Sequence, residues 1–405
     1  MDLKKIIDKK DIAAQYMIDE ITHICTKFEK TGPGDLGEKQ ACEYCAEEMK
    51  KLGCDTVYVE GFKENPNAFL GWIYITITCC FVALAAYFFV PVVSIIAIAL
   101  GLTLCVLQFG LYKKVVDKLF PEKTGHNAAG FKKPTGEVKR RIIFNGHPDA
   151  AWEWPFKYKF SYLGFDIHMI VCFIGAFYTL IISILKVAGV LGDDLAKTLG
   201  LVACVFIPVW FGLYFMWNEK RIVDGANDNL SGCYIGMAIL KMLHDEGIEF
   251  ENTEIGVVLT GSEEAGLRGS MAWCEQHKGE FDDVPTFIYA YDTIYDPKYL
   301  MANYRDLNAT VKTDKDANDL FMEACKEIGV HCSKGMVPPL GGATDSAAFA
   351  KAGFRAAGIT GLNHKLESYY HTRRDTYDNM NAQGLADCFA ASVKTLEMFD
   401  NGAKQ

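Results

Sequence analysis

Hydrophobic and polar positions follow two regimes along this 405-residue chain. In the first, short β-branched runs alternate with longer amphipathic ones. The short runs predict strands at Thr56–Glu60, Arg141–Asn145, Glu254–Thr260, Thr286–Tyr291 and Ala356–Thr360. The long runs predict helices at 10–30, 37–52, 229–245, 267–278, 315–329, 345–352 and 382–399. Alternation of this kind marks an α/β fold with a mixed, mostly parallel sheet flanked by helices. In the second regime charge disappears. Ala68–Tyr112 runs for 45 residues without one, Ile167–Leu185 for 19 and Thr198–Trp217 for 20.

Such stretches exceed what a buried core helix needs and match the roughly 20 residues that cross a bilayer. The first is too long for one crossing, and Pro91 near its middle is where a tight reversal falls. It reads as a hairpin of two helices. Ile167–Leu185 and Thr198–Trp217 make a second hairpin, joined by a polar loop holding Lys186, Asp193, Asp194 and Lys197. One globular domain therefore consists of 1–67, 113–166 and 218–405, interrupted by transmembrane hairpins at 68–112 and 167–217. Four crossings leave its three parts on one side of the membrane. Lys113, Lys114, Lys118, Lys157, Lys159, Lys220 and Arg221 flank the crossings on that side and favour the cytoplasm. The expectation is a multi-pass membrane protein with a cytoplasmic domain. The N-terminal MDLKKIIDKKD lacks the features of a cleaved signal peptide. His168, beside Asp166 at the edge of the third stretch, reads as an interfacial anchor rather than an intramembrane titrating group.

Composition narrows the partners. With 41 lysines and arginines against 51 aspartates and glutamates, a net charge of −10 and no basic block, nucleic acid is not expected. The charge-free stretches make a lipid bilayer an expected partner, and the oligomeric state is left open. Of 14 cysteines, five lie in the apolar stretches and the rest are scattered, which suits reduced thiols. Cys42-x-x-Cys45 has no second pair and falls in a helical pattern, so it reads as a helix face rather than a redox or zinc motif.

The chemistry collects at strand ends. Arg141–Asn145 leads into Gly146-His147-Pro148-Asp149, Glu254–Thr260 into Gly261-Ser262-Glu263-Glu264, and Thr286–Tyr291 into Asp292. Asp228, in Gly225-Ala226-Asn227-Asp228-Asn229-Leu230-Ser231-Gly232, lies at the N-terminal end of a helix, and Tyr370-His371-Thr372 follows the last strand. Ligands of open α/β sheets bind beyond the carboxyl ends of the strands. Each element alone is weak, but two histidines and several carboxylates in one crevice would repel unless a cation compensates them. A divalent pair does so. Nitrogen and carboxylate donors without cysteine fit zinc, with cobalt or manganese compatible. In Glu263-Glu264 one carboxylate can bind metal while its neighbour moves a proton.

These motifs resemble those of the co-catalytic dinuclear zinc aminopeptidases, a family that also holds glutamate carboxypeptidase, glutaminyl cyclase and the transferrin-receptor ectodomain. The likeness covers about 10–67, 124–156 and 219–400. It rests on His147-x-Asp149, Gly225–Gly232, Glu263-Glu264 and Tyr370–Thr376. The resemblance implies that Asp228 bridges two zinc ions, His147 and Asp292 complete one site, and Glu264 and His371 the other. By the same likeness Asp149 orients His147, Glu263 is the general base, and the Tyr370 hydroxyl stabilises an oxyanion or merely packs. It also implies a cis peptide at Asp228–Asn229. Asp345 matches a family motif near the substrate but reads equally well as a helix N-cap.

The implied activity is metal-assisted hydrolysis of peptides by an exopeptidase, foremost an aminopeptidase. Arg373 and Arg374 leave carboxypeptidase activity open, with solvated loop charges as the plainer reading. Glutaminyl cyclisation and a noncatalytic receptor or scaffold are the alternatives, the latter disfavoured because the five ligands and Glu263 are all present. The chain departs from soluble relatives by its two hairpins. Asp228 follows Trp217 by 11 residues, hence within about 40 Å of the bilayer even when extended. Trp152, Trp154, Phe156, Tyr158 and Phe160 suit a headgroup-level belt or a wall of the substrate cleft.

Overall fold

The computed structural model describes residues 1–363 and 367–403. The chain forms two compact units, one of Met1–Pro66, Glu122–Trp152 and Arg221–Gln405, the other of Asn67–Pro121 and Glu153–Lys220. The first is built on eight strands: β1 (Thr56–Glu64), β2 (Lys123–Lys132), β3 (Arg140–Gly146), β4 (Thr253–Thr260), β5 (Thr286–Ile294), β6 (Leu300–Asn303), β7 (Ser333–Gly335) and β8 (Arg355–Gly361). Their spatial order is β1-β2-β4-β3-β5-β8-β6-β7. The central four, β4, β3, β5 and β8, are parallel. Strands β1 and β2 run antiparallel on one side, and β6 pairs antiparallel with β8 on the other.

Side chains alternate across the central strands. Ile142, Phe144, Val257, Phe287, Tyr289 and Ala357 enter the larger core, under helices Lys10–Lys27, Leu36–Lys51, Ser231–Asp245, Lys315–Ile328 and Ala382–Asp400. Ile143, Val258, Ile288 and Ala356 face the opposite way, onto Trp273 and Phe349 of helices Arg268–Gln276 and Asp345–Lys351. Burial on both faces is why these strands read as near-continuous apolar runs. All the predicted helices and strands of this unit form, with ends shifted by a few residues. Strand β2 was not expected. Its centre is Asn127-Ala128-Ala129-Gly130, small rather than β-branched, because the Leu36–Lys51 helix lies against it: a Cβ on Gly130 would sit 2.6 Å from the Met49 sulfur.

The second unit holds four helices long and apolar enough to cross a membrane: Ala68–Phe89, Pro91–Gly110, Pro155–Val187 and Asp193–Phe215. The first two reverse at Val90, with Pro91 opening the second helix, where its missing N–H costs nothing. The third begins at Pro155, well before Ile167, and is broken at Ser161, whose φ is 58°. The fourth begins at Asp193 rather than Thr198. Asp193 and Asp194 occupy its first turn, where acidic side chains are favoured by the positive end of the helix dipole, so residues expected in the loop are helical. Polar contacts tie these helices together: Ser94 and Ser183 hydroxyls meet at 2.8 Å, and the Lys186 ammonium donates to the Tyr87 carbonyl. His168 packs on Phe156, 4.6 Å between ring centres. Outward faces carry exposed Ile96, Leu100, Ile174, Phe177 and Leu201. All 14 cysteines are free, and Cys42 and Cys45 are buried on one helix.

Candidate metal centre

Strands β4, β3 and β5 lie side by side and parallel, so their carboxyl ends open onto one place. His147 and Asp149 follow β3, Glu263 and Glu264 follow β4, and Asp292 lies near the carboxyl end of β5. Asp228 comes from the turn before the Ser231–Asp245 helix, whose N-terminus packs against these ends. The approach is close enough that a Cβ on Gly232 would sit 2.6 Å from the Tyr291 carbonyl, and one on Gly146 2.4 Å from the Cys233 nitrogen.

The turn is held by side chains of its own motif. Asn229 donates to the Tyr291 carbonyl (2.8 Å) and accepts from the Thr293 and Gly232 amides (both 3.0 Å), so it pairs with β5 as a short strand would. Ser231 donates to the Asn227 carbonyl and accepts from the Ile294 amide at 2.9 Å. The Asp228–Asn229 peptide is cis, as the resemblance implied. Asp375, given no role from sequence, completes the cradle. Its carboxylate accepts from the Asn227 amide (2.8 Å), the Asn227 side chain (2.9 Å) and the Asp228 amide (3.1 Å).

Asp228 faces a histidine with each oxygen: Oδ1 is 3.7 Å from His147 Nε2 and Oδ2 is 3.0 Å from His371 Nε2. Glu264 Oε1 lies 3.2 Å from His371 Nε2, and Glu263 Oε2 lies 3.8 Å from His147 Nε2. Two groups result, His147–Glu263–Asp292 and Asp228–Glu264–His371, each with candidate ligand atoms within 4.8 Å of one another. The five expected ligands therefore lie in these two groups, but Glu263, expected as the base, takes the place beside His147 and Asp292 that the resemblance gave to Asp228. His147 Nδ1 is 3.1 Å from the Asp149 carbonyl and 3.4 Å from its carboxylate, which leaves Nε2 facing the centre. The Asp149 carboxylate takes the Glu263 and Glu264 amides, each at 3.0 Å. Asp149 thus touches the His147 ring through its main chain and anchors the Glu263-Glu264 turn through its side chain.

The electrostatics are those of crowded anions. Burial pushes Glu263 well above the usual carboxylate range and raises Glu264 as well. Burial and then Asp228 bring Asp292 to about 7. Burial would also raise Asp228, but His371, His147 and the Thr293 hydroxyl beside it together outweigh it and hold this carboxyl low. Burial disfavours a charged His371, yet Glu264 and Asp228 beside it raise its pKa to about 9. His147 is raised against its own burial, chiefly by Glu263.

The donor set fits divalent cations. His147 Nε2 is buried, faces the centre and makes no hydrogen bond among the described residues, while Asp228 Oδ2 and Glu264 Oε1 both converge on the one nitrogen His371 Nε2. Groups in that state are costly unless something binds them.

Other expectations land as follows. Tyr370 stacks on the His371 ring at 4.0 Å, and burial keeps its hydroxyl protonated. Asp345 is not the cap of its helix. Thr344 is, and Asp345 is buried with Oδ2 accepting from the Thr260 hydroxyl at 2.7 Å. Arg373 and Arg374 are exposed. Trp152 is buried, and Trp154 stacks on Phe165 at 5.0 Å.

Residues 214–396 match the sequence model of peptidase family M28. No curated protein sequence matches the chain. Among solved structures, a zinc aminopeptidase from Bacillus subtilis superposes with a TM-score of 0.56 at 15% identity, covering 94% of each chain. The LapA aminopeptidase of Legionella pneumophila gives 0.55 at 10% identity, covering all of this chain and 76% of its own. A glutaminyl cyclase from Bacteroides thetaiotaomicron, solved with N-acetylhistamine, gives 0.54 at 12% identity over 96% of each. The recognition drawn from the motifs is thus met by the family match, and the fold is that of the zinc aminopeptidases.

Proposed function

We propose that this chain is a membrane-embedded, zinc-dependent exopeptidase, an aminopeptidase in which Glu263 is the general base. The observation that carries the reading is Asp228, buried between His147 and His371 with one carboxylate oxygen turned to each. His147, Asp228 and Asp292 would hold one ion, and Asp228, Glu264 and His371 the other. Zinc held there would supply Lewis acidity toward a water and toward the scissile carbonyl. Glu263 takes the proton of the attacking water and passes it to the leaving amine. Its burial, which raises its proton affinity, makes it a stronger base than an exposed glutamate. The protonated Tyr370 hydroxyl donates to the oxygen on which negative charge develops. Asp149 holds the peptide units of Glu263 and Glu264 so that the two carboxylates diverge, one to each histidine.

Aminopeptidase action is supported by the aminopeptidases among the fold relatives. Metal content of the purified protein, with digestion of a peptide library by wild type and Glu263→Ala, tests the assignment. Two metals retained in both and cleavage lost in the variant is the expected result, a decrease of about 10²–10⁴-fold. Equal cleavage by the variant removes Glu263 from the role. The likeness to the Bacteroides cyclase favours glutaminyl cyclisation as a second reading. Ammonia released from an N-terminal glutaminyl peptide without shortening it would select that chemistry. The four apolar helices and their exposed apolar faces support insertion in a bilayer, and the basic residues flanking them favour the cytoplasmic side for the first unit. Protease digestion of inverted vesicles, but not of right-side-out ones, is the expected pattern.

A further inference from the structure

The Glu263-Glu264 turn leaves β4 through Ser262, which is buried and has a left-handed φ of 56°. The Ser262 hydroxyl is 2.6 Å from Glu38 Oε2 and 2.6 Å from Glu64 Oε1, and both glutamates are buried. A hydroxyl carries one proton and can donate only once. If both glutamates were ionised, one short contact would set a lone pair against an anionic oxygen where little solvent screens it. One protonated carboxyl removes the conflict: it donates to Ser262 Oγ, and Ser262 donates to the other.

Hydrogen-bond supply says which one. Glu38 Oε1 accepts from the His126 amide at 2.8 Å, and Oε2 also faces the Gly34 amide at 3.3 Å. Glu64 Oε2 is buried and makes no hydrogen bond among the described residues. An ionised carboxylate needs donors at both oxygens far more than a neutral carboxyl does. Burial alone would neutralise Glu38 first, since it is the more enclosed; its two amide donors act the other way and favour its anion. Burial holds both groups above the usual range, Glu64 at about 7. Asp149 faces both and adds to the shift, while Arg268 and Lys123 face Glu64 and oppose it.

We propose that Glu64, Ser262 and Glu38 form a buried proton-sharing relay, Glu64 acid to Ser262 hydroxyl to Glu38 carboxylate, that positions the Glu263-Glu264 turn. The rest of the turn is held from outside in the same way, Gly261 by Asn127 and the Glu263 and Glu264 amides by Asp149. The three residues are positioning residues, none reaching the metal groups themselves. Their part in catalysis rests on the dinuclear peptidase reading; the shared proton does not.

The test uses the full-length protein in detergent with zinc added. In the wild-type-minus-Glu64→Gln infrared difference spectrum, the carbonyl stretch of a buried protonated carboxyl is the expected loss. Glutamine mimics a neutral acid, so Glu64→Gln keeps its zinc affinity. Glu38→Gln replaces the anion and lowers that affinity about 10–100-fold, the usual range for a residue that supports a metal ligand. No carboxyl band in the difference spectrum overturns the relay, as does Glu38→Gln proving the milder of the two. A band lost in Glu64→Gln from a wild type that binds no zinc and cleaves nothing supports the relay and overturns only the peptidase reading.

Discussion

Replacing Asp375 with alanine probes the cradle of Asp228 without touching a candidate ligand. The carboxylate serves three donors: the Asn227 amide, the Asn227 side chain and the Asp228 amide. The Asn227 side chain keeps a second acceptor, the Asn379 carbonyl at 2.8 Å, so its loss is partial. The two amides belong to buried residues and have no comparable substitute. Each unsatisfied buried donor costs about 1–3 kcal/mol, so the gross cost is about 2–6 kcal/mol. Removing a carboxyl that burial has raised to about 7 returns part of that, which places the expected loss near the lower end. Even about 2 kcal/mol is a large share of the 5–15 kcal/mol that typically separates folded from unfolded states. Loosening Asp228 should also weaken zinc binding about 10–100-fold. Calorimetric zinc titration and thermal melting of the solubilised protein measure both quantities. Asp375→Asn keeps one acceptor oxygen and should fall between the other two proteins. An Asp375→Ala variant that binds zinc and melts like wild type would refute the view that this carboxylate holds the bridging residue in place.

Metal uptake near neutral pH should release protons, because without metal His371 holds its proton up to about 9 and a ligating imidazole must lose it. Zinc affinity should accordingly rise with pH from neutrality through about 9. Calorimetry in buffers of different ionisation enthalpy counts the protons, and a count of zero contradicts the coupling. Gly232→Ala should destabilise by about 1–3 kcal/mol, the usual cost of overpacking, because the new Cβ lies 2.6 Å from the Tyr291 carbonyl and 2.4 Å from Asn229 Oδ1. A wild-type melting temperature for that variant would mean the helix can move off the strand ends at little cost.

Much of the centre was legible because its chemistry is written at fixed offsets from strand ends. A hydrophobic run that stops at His147, Glu263 or Asp292 places those side chains at the carboxyl edge of a parallel sheet whatever the distant packing. Strand β2 and the Glu38–Ser262–Glu64 contact had no such signal. Strand β2 is small-residued because a neighbouring helix demands it, and Glu38 reads in sequence as one more charge on a helix that has several. Asp375 lay inside a recognised motif, yet nothing local says that its carboxylate turns back onto residues 227 and 228. The third apolar helix starts earlier than Ile167 for a related reason: charged residues such as Asp166 also take helical geometry, so the helix runs on from the break at Ser161, with a further helical segment opened by Pro155 before it.

What the sequence determined alone was local and periodic: the alternation of strand and helix, the charge-free stretches, and the order of His147, Asp149, Asp228, Glu263, Glu264, Asp292 and His371. These follow from backbone propensity and side-chain period, which act over a few residues. Tertiary structure decided which atoms share a point. Only the assembled sheet brings Asp228 between two histidines that are 224 residues apart in the chain, and only burial turns ordinary carboxyls into groups that hold protons near neutrality. Desolvation and hydrogen-bond supply depend on everything packed around a group, and that surrounding is set by the fold rather than by neighbours in sequence.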